Sequence, residues 1–335
     1  MLTFTQSYMK IQVLGAGAWG TAQAILLGRN GHEVTLEAHT PEEVEMLSTY
    51  RENIRFLSGF RIPAEVEFCQ VGTSEGSFDL SVVAVPSSAV REIADAVRSE
   101  RVLVTSKGLE AGTGRALSFV LQEHLSGARV GALSGPNLAI EIVRGIPTAA
   151  VTAFEREEDA DAVRLAYKCR TFRVYLSNDV IGLQLAGALK NVVAIAAGIS
   201  DGLGFGDNTK GALVARGLRE MCLLGRAMNA RQETFMGIAG VGDLFATAAS
   251  PLSRNYAVGR GLGEGKTLKS LLESLGHVAE GVLTCEAACI LAKAHGVEVP
   301  VMDAIRRVVE GTLKPLDGVS LLMERSTPSE GLVGT

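Results

Sequence analysis

The stretch KIQVLGAGAWGTAQAILLGRN, residues 10–30, decides the fold of the first half of the chain. Lys10–Leu14 is a short apolar run. It ends in Gly15-Ala16-Gly17-Ala18-Trp19-Gly20, and a helical pattern follows over Thr21–Asn30. After Gly31-His32 comes a second strand, Glu33–Glu37. A GxGxxG spacing is weak by itself. Here it closes a strand, opens a helix and lies inside a βαβ unit, the context in which it reads as a dinucleotide-binding turn. Gly15 makes the tight turn, Gly17 lets backbone approach a pyrophosphate, and Gly20 permits close helix–strand packing, with the helix N-terminus facing the phosphates. A purely structural glycine turn is the alternative.

Further strands are predicted at Leu80–Val85, Val102–Thr105 and Arg129–Leu133, separated by helical segments such as Ser88–Arg98 and Ala116–Leu125. Thr148–Phe154 and Phe172–Leu176, flanking a helical Arg156–Lys168, extend the same sheet. The alternation predicts an α/β domain with a Rossmann-type parallel sheet over residues 9–178. From Asp179 the pattern becomes helical with short glycine-rich breaks, giving an all-helical domain over 179–325 and a frayed tail over 326–335. Two domains suit 335 residues, because single cores rarely grow beyond about 250–300 residues.

Open parallel sheets bind ligands at the carboxyl ends of their strands. Those ends are Gly15–Trp19, Pro86-Ser87, Ser106-Lys107-Gly108 and Ser134-Gly135-Pro136-Asn137. Lys107 is thus a cation delivered to the crevice, or else an ordinary solvated loop lysine. Glu37 ends the second strand, where a carboxylate binds ribose hydroxyls and repels a 2′-phosphate; His39 and Thr40 follow, with no arginine to accept that phosphate. The cofactor is NAD or NADP, with a lean to NAD from Glu37, unless Glu37 merely faces solvent.

A net charge of -5 and the lack of a dense Lys/Arg run argue against nucleic acid. The five cysteines form no CxxC pair and read as reduced core thiols of a cytoplasmic protein, not as a metal site. MLTFTQSYM, residues 1–9, has neither the basic start nor the apolar core of a signal peptide. No uninterrupted apolar run reaches about 18 residues, so no membrane span is expected.

The longest apolar stretch is IGLQLAGALKNVVAIAAGI, residues 181–199, interrupted only by Gln184, Lys190 and Asn191. On a helix, Lys190 shares its face with Leu183, Ala186, Gly187, Val193, Ala194 and Ala197. Such a lysine either snorkels to solvent or is held in a cleft, where desolvation turns an ammonium into a better base. Two polar islands follow. In Gly240-Val-Gly-Asp-Leu244, Asp243 is the natural partner of a buried lysine, or a helix N-cap; Thr247 lies one helical turn further on. In Pro251-Leu-Ser-Arg-Asn255, Ser253 makes a good N-cap. That puts Arg254 and Asn255 in a first helical turn, where the dipole disfavours a cation unless an anion is bound. Arg254 reads as a phosphate clamp, with a surface salt bridge as the alternative.

These segments resemble the bacterial type of NAD(P)-dependent sn-glycerol-3-phosphate dehydrogenase. The similarity runs through GAGAWGTA (15–22), SKGLE (106–110), LSGPNLAIE (133–141), GALKNVVAIAAGISDGLGFGDNTKGAL (187–213), GVGDL (240–244), SRN (253–255) and AEGVLT (279–284), nearly the whole chain. It implies interconversion of dihydroxyacetone phosphate and glycerol 3-phosphate, the phospholipid backbone precursor, without a metal. Lys190 would be the general base and Asp243 would orient it and touch substrate. Lys107, the Gly135 backbone, Asn137, Ser253, Arg254 and Asn255 would hold the glycerol phosphate. Ala18, Trp19, His39, Lys107, Ala139, Arg254, Val278 and Glu280 would join the glycines on the cofactor. The expected partner is a small phosphorylated substrate, with a homodimer as the base-rate assembly.

The chain departs from the family at Asn137 (usually serine or threonine), Ile140 (often polar), Ala18 (often serine) and Glu37 (often tryptophan). Rival readings are a dehydrogenase of 3-hydroxy acids, a ketopantoate reductase, or a silent NAD-binding regulator. The Ser253-Arg254-Asn255 island favours a phosphorylated substrate over the first two, and a regulator has no need of Lys190 and Asp243 together.

Overall fold

A computed structural model describes residues 8–275 and 279–324. Val278 and the tail over 326–335 therefore lie outside the described residues. The chain divides into two units, residues up to 107 with 116–184, and 108–115 with residues from 185 onward. Segment 108–115, counted with the first domain in the sequence reading, groups with the second unit.

The first unit contains strands β1 (Lys10–Leu14), β2 (Glu33–Ala38), β3 (Glu52–Asn53), β4 (Leu57–Arg61), β5 (Val66–Gln70), β6 (Leu80–Val83), β7 (Arg101–Val104), β8 (Arg129–Ser134), β9 (Thr148–Ala153) and β10 (Phe172–Ser177). Its helices are α1 (Ala18–Arg29), α2 (Pro41–Tyr50), α3 (Val90–Ile93), α4 (Leu117–His124), α5 (Ala139–Val143) and α6 (Glu157–Tyr167). One sheet runs β10-β9-β8-β7-β6-β1-β2-β5, and β3 and β4 form a separate hairpin. Alternation along β1 explains why both sheet faces are covered. Ile11 and Val13 enter a core with Ile25 and Leu27 of α1 and Tyr167 of α6. Leu14 enters another with Val90, Leu117 and Leu121.

Two details differ from the sequence reading. The sheet is parallel except where β9 meets β8, which is antiparallel, so β9 and β10 run together in the reverse direction. The link explains this: α5 spans only 5 residues, and an antiparallel neighbour needs no full helical crossover. The helix expected over Ser88–Arg98 is also broken, into a 3₁₀ turn, α3 and a second 3₁₀ turn over Ala94–Ala96. Gln12 in β1 captures that end, its amide donating to Ala96 O at 2.9 Å and its carbonyl accepting from Arg98 N at 3.1 Å.

The second unit holds α7 (Val180–Gly202) from Leu185 onward, α8 (Asp207–Ala227), α9 (Gln232–Met236), α10 (Asp243–Ala248), α11 (Arg254–Gly263), α12 (Leu268–Leu275), α13 (Glu280–Ala294), α14 (Pro300–Val309) and α15 (Pro315–Glu324), with no strand among the described residues. Asp179 starts α7 as an N-cap, accepting from Gly182 N at 2.9 Å. By length and composition α7 is apolar enough to cross a membrane, but 89% of its most apolar window is buried in protein. It is a core helix.

Helices α7 and α11 meet backbone to backbone. A methyl group at Gly198 would overlap Tyr256 O, one at Gly202 would overlap Arg260 O, and one at Gly259 would overlap Ile195 O. Paired small residues remove the side chains that otherwise separate helix axes by 8–10 Å. We expect Gly259→Ala to destabilise the protein by about 3 kcal/mol, the overpacking range. Gly211→Ala, in α8 with nothing within 4 Å of the added atom, should stabilise by about 0.5–1 kcal/mol through helix propensity. Urea unfolding of the two variants checks both signs.

Candidate active site

In the first unit the ligand-facing edge is made by strand ends. Gly15 has φ +108°, and a Cβ there would stand 2.8 Å from Ala84 O. At Gly20 a Cβ would overlap Gly15 O, so these two glycines are needed for packing. Gly17 is different: a Cβ would meet nothing within 4 Å. Its bareness serves space outside the protein. Gly17 is the N-cap of α1 without a side-chain cap, and Ala18 and Trp19 are the first helical residues. Their N–H groups sit at the positive end of a helix of 12 residues.

Lys107, after β7, donates to Gly135 O at 2.7 Å, which joins two of the predicted positions. Gly135 has φ +146°, and a Cβ there would come 2.9 Å from Ala149 O. Asn137 donates to Ala149 O at 3.2 Å, while its own carbonyl oxygen is buried and lacks a partner among the described residues. The same holds for Ser134 Oγ and Trp19 Nε1. Orphaned buried polar atoms, open space at Gly17 and an uncapped helix N-terminus together fit a dinucleotide. Ala139 begins α5. His39 is exposed at the end of β2, its backbone N–H donating to Glu43 Oε2 at 3.1 Å.

Glu37 corrects the sequence reading. It is 0% exposed, and its carboxylate accepts from Gln12 Nε2 at 2.5 Å, Ser74 Oγ at 2.6 Å and Gly72 N at 2.8 Å. It neither faces solvent nor offers an oxygen to a ribose. The strand pleat turns it inward, onto the face that Gln12 shares.

In the second unit the polar residues Lys190 and Asn191 of α7 are both held by hydrogen bonds. Lys190 is 6% exposed, so it does not snorkel. Its Nζ donates to Asp243 Oδ1 at 2.8 Å and to Thr247 Oγ1 at 2.6 Å. Asp243 is the first residue of α10, reached through a π-helical turn over Ile238–Gly242. It is not the N-cap, which is Gly242. Thr247 in turn donates to Asp243 O at 2.7 Å, which leaves its oxygen lone pairs facing the lysine. Four residues from Asp243, Thr247 lies on the same helical face. Asn191 accepts from Asn255 Nδ2 at 2.9 Å, and Asn255 Oδ1 accepts from Gly281 N at 2.9 Å. Asn255 thereby ties α7, α11 and the start of α13 together.

Ser253 is the N-cap of α11, accepting from Tyr256 N at 3.2 Å, and Arg254 is the first helical residue. Arg254 keeps much surface in solvent, yet desolvation by surrounding protein lowers its guanidinium pKa. The Glu280 carboxylate, at the first residue of α13, raises it back in part. Among the described residues no group of three His, Cys, Asp or Glu side chains could hold a metal.

A nucleotide-binding glycine turn on a doubly covered sheet, followed by a helical unit with a buried lysine–aspartate pair, is the build of an NAD(P)-dependent dehydrogenase. Family profiles narrow this further. The N-terminal part of NAD-dependent glycerol-3-phosphate dehydrogenase matches residues 10–160 and its C-terminal part matches residues 179–320. The chain belongs to the NAD-dependent glycerol-3-phosphate dehydrogenase family. The glycerol-3-phosphate dehydrogenase [NAD(P)+] of Parvibaculum lavamentivorans is 41% identical over 97% of this chain and 99% of its own. That of Geobacter sp. (strain M21) is 43% identical over 96% and 99%. The crystal structure of the Coxiella burnetii glycerol-3-phosphate dehydrogenase has a TM-score of 0.91 at 34% identity, over 95% of this chain and 99% of that one. A ketopantoate reductase from Ralstonia eutropha shares the fold alone, at TM-score 0.58 and 17% identity.

Removing one partner of the buried pair strands the other charge. Asp243→Ala is expected to cost about 3–5 kcal/mol of unfolding free energy, and the Lys190→Met/Asp243→Leu double variant to regain most of that. Denaturant unfolding decides it: an Asp243→Ala protein as stable as the parent contradicts the pair as described.

Proposed function

We propose that Lys190 moves the proton of the C2 oxygen in the reaction that family membership assigns to the chain. The chain is an NAD(P)-dependent oxidoreductase acting on a CH–OH group. It reversibly reduces dihydroxyacetone phosphate to sn-glycerol 3-phosphate, supplying the glycerol phosphate backbone of phospholipids. The observation that carries the role of Lys190 is its buried bond to Asp243 within a largely apolar helix. Bound nicotinamide supplies the hydride acceptor or donor at C2. During reduction the lysine ammonium gives its proton to the oxygen that develops negative charge; during oxidation the amine takes it back. Asp243 and Thr247 fix Nζ by two hydrogen bonds, so proton transfer starts from one geometry rather than many.

Arg254 and the first turn of α11 are proposed to hold the substrate phosphate, with Lys107, the Gly135 backbone, Asn137, Ser253 and Asn255 as further contacts. A phosphate there would satisfy a cation placed at the wrong end of a helix dipole. Binding energy from that non-reacting end can then orient the carbon that reacts. Gly15, Gly17, Ala18, Trp19, Gly20, His39, Ala139, Val278 and Glu280 are the proposed cofactor contacts, in a domain over 9–178 and its helical partner over 179–325. A homodimer is the proposed assembly. The cytoplasm is the proposed compartment, in keeping with five free cysteines.

The assay is reduction of dihydroxyacetone phosphate followed by NADH or NADPH absorbance. Lys190→Ala should lower kcat on the order of 10²–10⁴-fold, the usual contribution of a positioned acid–base. Its NADH affinity should stay near the parent's; a parallel collapse of cofactor binding would make Lys190 a structural residue. Arg254→Ala should raise KM for dihydroxyacetone phosphate by roughly 10–100-fold, as loss of a charged hydrogen bond predicts. An unchanged KM would sink the phosphate clamp.

A further inference from the structure

Glu37 is a fully buried carboxylate without a cation. Its three hydrogen-bond partners, Gln12 Nε2, Ser74 Oγ and Gly72 N, are all donors, the complement of an ionised carboxylate. No salt bridge involves it among the described residues. The Arg98 guanidinium is turned to the carbonyls of Asp95, Val97 and Gly72. Its position is tied to the glycine-rich turn: Gly15 N donates to Glu37 O at 3.0 Å, and Leu14 stands opposite it in β1. Two residues on, His39 and the N-cap Thr40 open α2, whose first turn carries Glu42 and Glu43. Glu43 receives the His39 N–H and pairs at 3.6 Å with Arg55. The end of β2 is thus acidic on balance. Its innermost charge is the one that solvent does not screen.

We propose that Glu37 selects NADH over NADPH through its field, not through contact with the ribose. This rests on the reading of Gly15–Gly20 as a dinucleotide site. The end of β2 is where such sites receive the adenosine ribose, and a 2′-phosphate adds negative charge there. A buried carboxylate opposes that charge across protein instead of water, so its repulsion persists at physiological salt. Gln12 is the positioning residue, because its amide binds Glu37 while its carbonyl is held by Ser81 Oγ at 2.6 Å and Arg98 N at 3.1 Å.

Trp19 is the chain's single tryptophan and lies in the first turn of α1, directly after the glycine turn, so its fluorescence is expected to report cofactor binding without turnover. Titration of the parent should give NADH binding at least about tenfold tighter than NADPH, the size of one modest charge–charge term. Glu37→Gln should bring the two dissociation constants together by about tenfold, chiefly by tightening NADPH, and kcat/KM for the two cofactors should shift in the same ratio. A folded Glu37→Gln protein with the parent's NADH/NADPH ratio overturns the proposal. So does a parent that binds both alike or prefers NADPH, a result that stands even if Glu37→Gln fails to fold. Quenching by neither cofactor, in parent protein that melts cooperatively, would overturn the dinucleotide site itself and the proposal with it.

Discussion

The direct contact of α7 with α11 is the constraint on which the helical unit depends. Gly198 and Gly202 on one helix and Gly259 on the other leave no side chain between the two backbones. A helix so closely flanked must be apolar nearly all round, which accounts for a hydropathy that would otherwise suit a membrane. The same contact sets the level of Arg254 and Asn255, at the start of α11, relative to Lys190 and Asn191 on α7. The Asn191–Asn255–Gly281 hydrogen bonds then lock that level. Polar groups on two helices are thereby positioned by packing that contains no polar side chain.

Inside this frame the lysine–aspartate pair is costly to bury and hard to misplace. Two charges taken out of water are compensated only by good geometry and by further bonds to the remaining donors and lone pairs. Thr247 supplies such a bond, and because its own hydroxyl proton is spent on Asp243 O, it meets the lysine as an acceptor. The π-helical turn before α10 belongs to the same arrangement. It brings Gly240 so close to Phe235 that a methyl group there would overlap the Phe235 backbone, and it delivers Asp243 as the first residue of α10. Extra-residue turns of this kind recur at functional sites.

Legibility in the sequence followed the strength of local signals. The glycine turn, the strand ends and the oddity of Lys190 were readable because each is a short local pattern with few physical meanings. No element is expected over 41–79, although Thr40-Pro41-Glu42-Glu43 carries an N-cap, a proline at the first helical position and acidic first-turn residues, the marks of α2. The reversal of β9 could not be seen, because strand direction depends on whether a link crosses the sheet and not on strand composition. Glu37 was misread for a related reason. Strand alternation says that neighbouring side chains oppose each other, but only the packing of Gln12 and the loop at Gly72–Ser74 says which face is closed.

Glu37 and Asp243 are the same kind of buried group in two different shells. Both are almost wholly removed from solvent. Asp243 faces a lysine, so its charge is cancelled within 2.8 Å and what remains is direction: a fixed Nζ. Glu37 faces an amide, a hydroxyl and a backbone N–H, which stabilise its charge without cancelling it. A neutral shell leaves a field; a cation leaves a geometry. The proton transfer proposed for Lys190 needs geometry, since protons move only over hydrogen-bond distances. Choice between two cofactors that differ by one phosphate needs a field, since that difference is itself a charge.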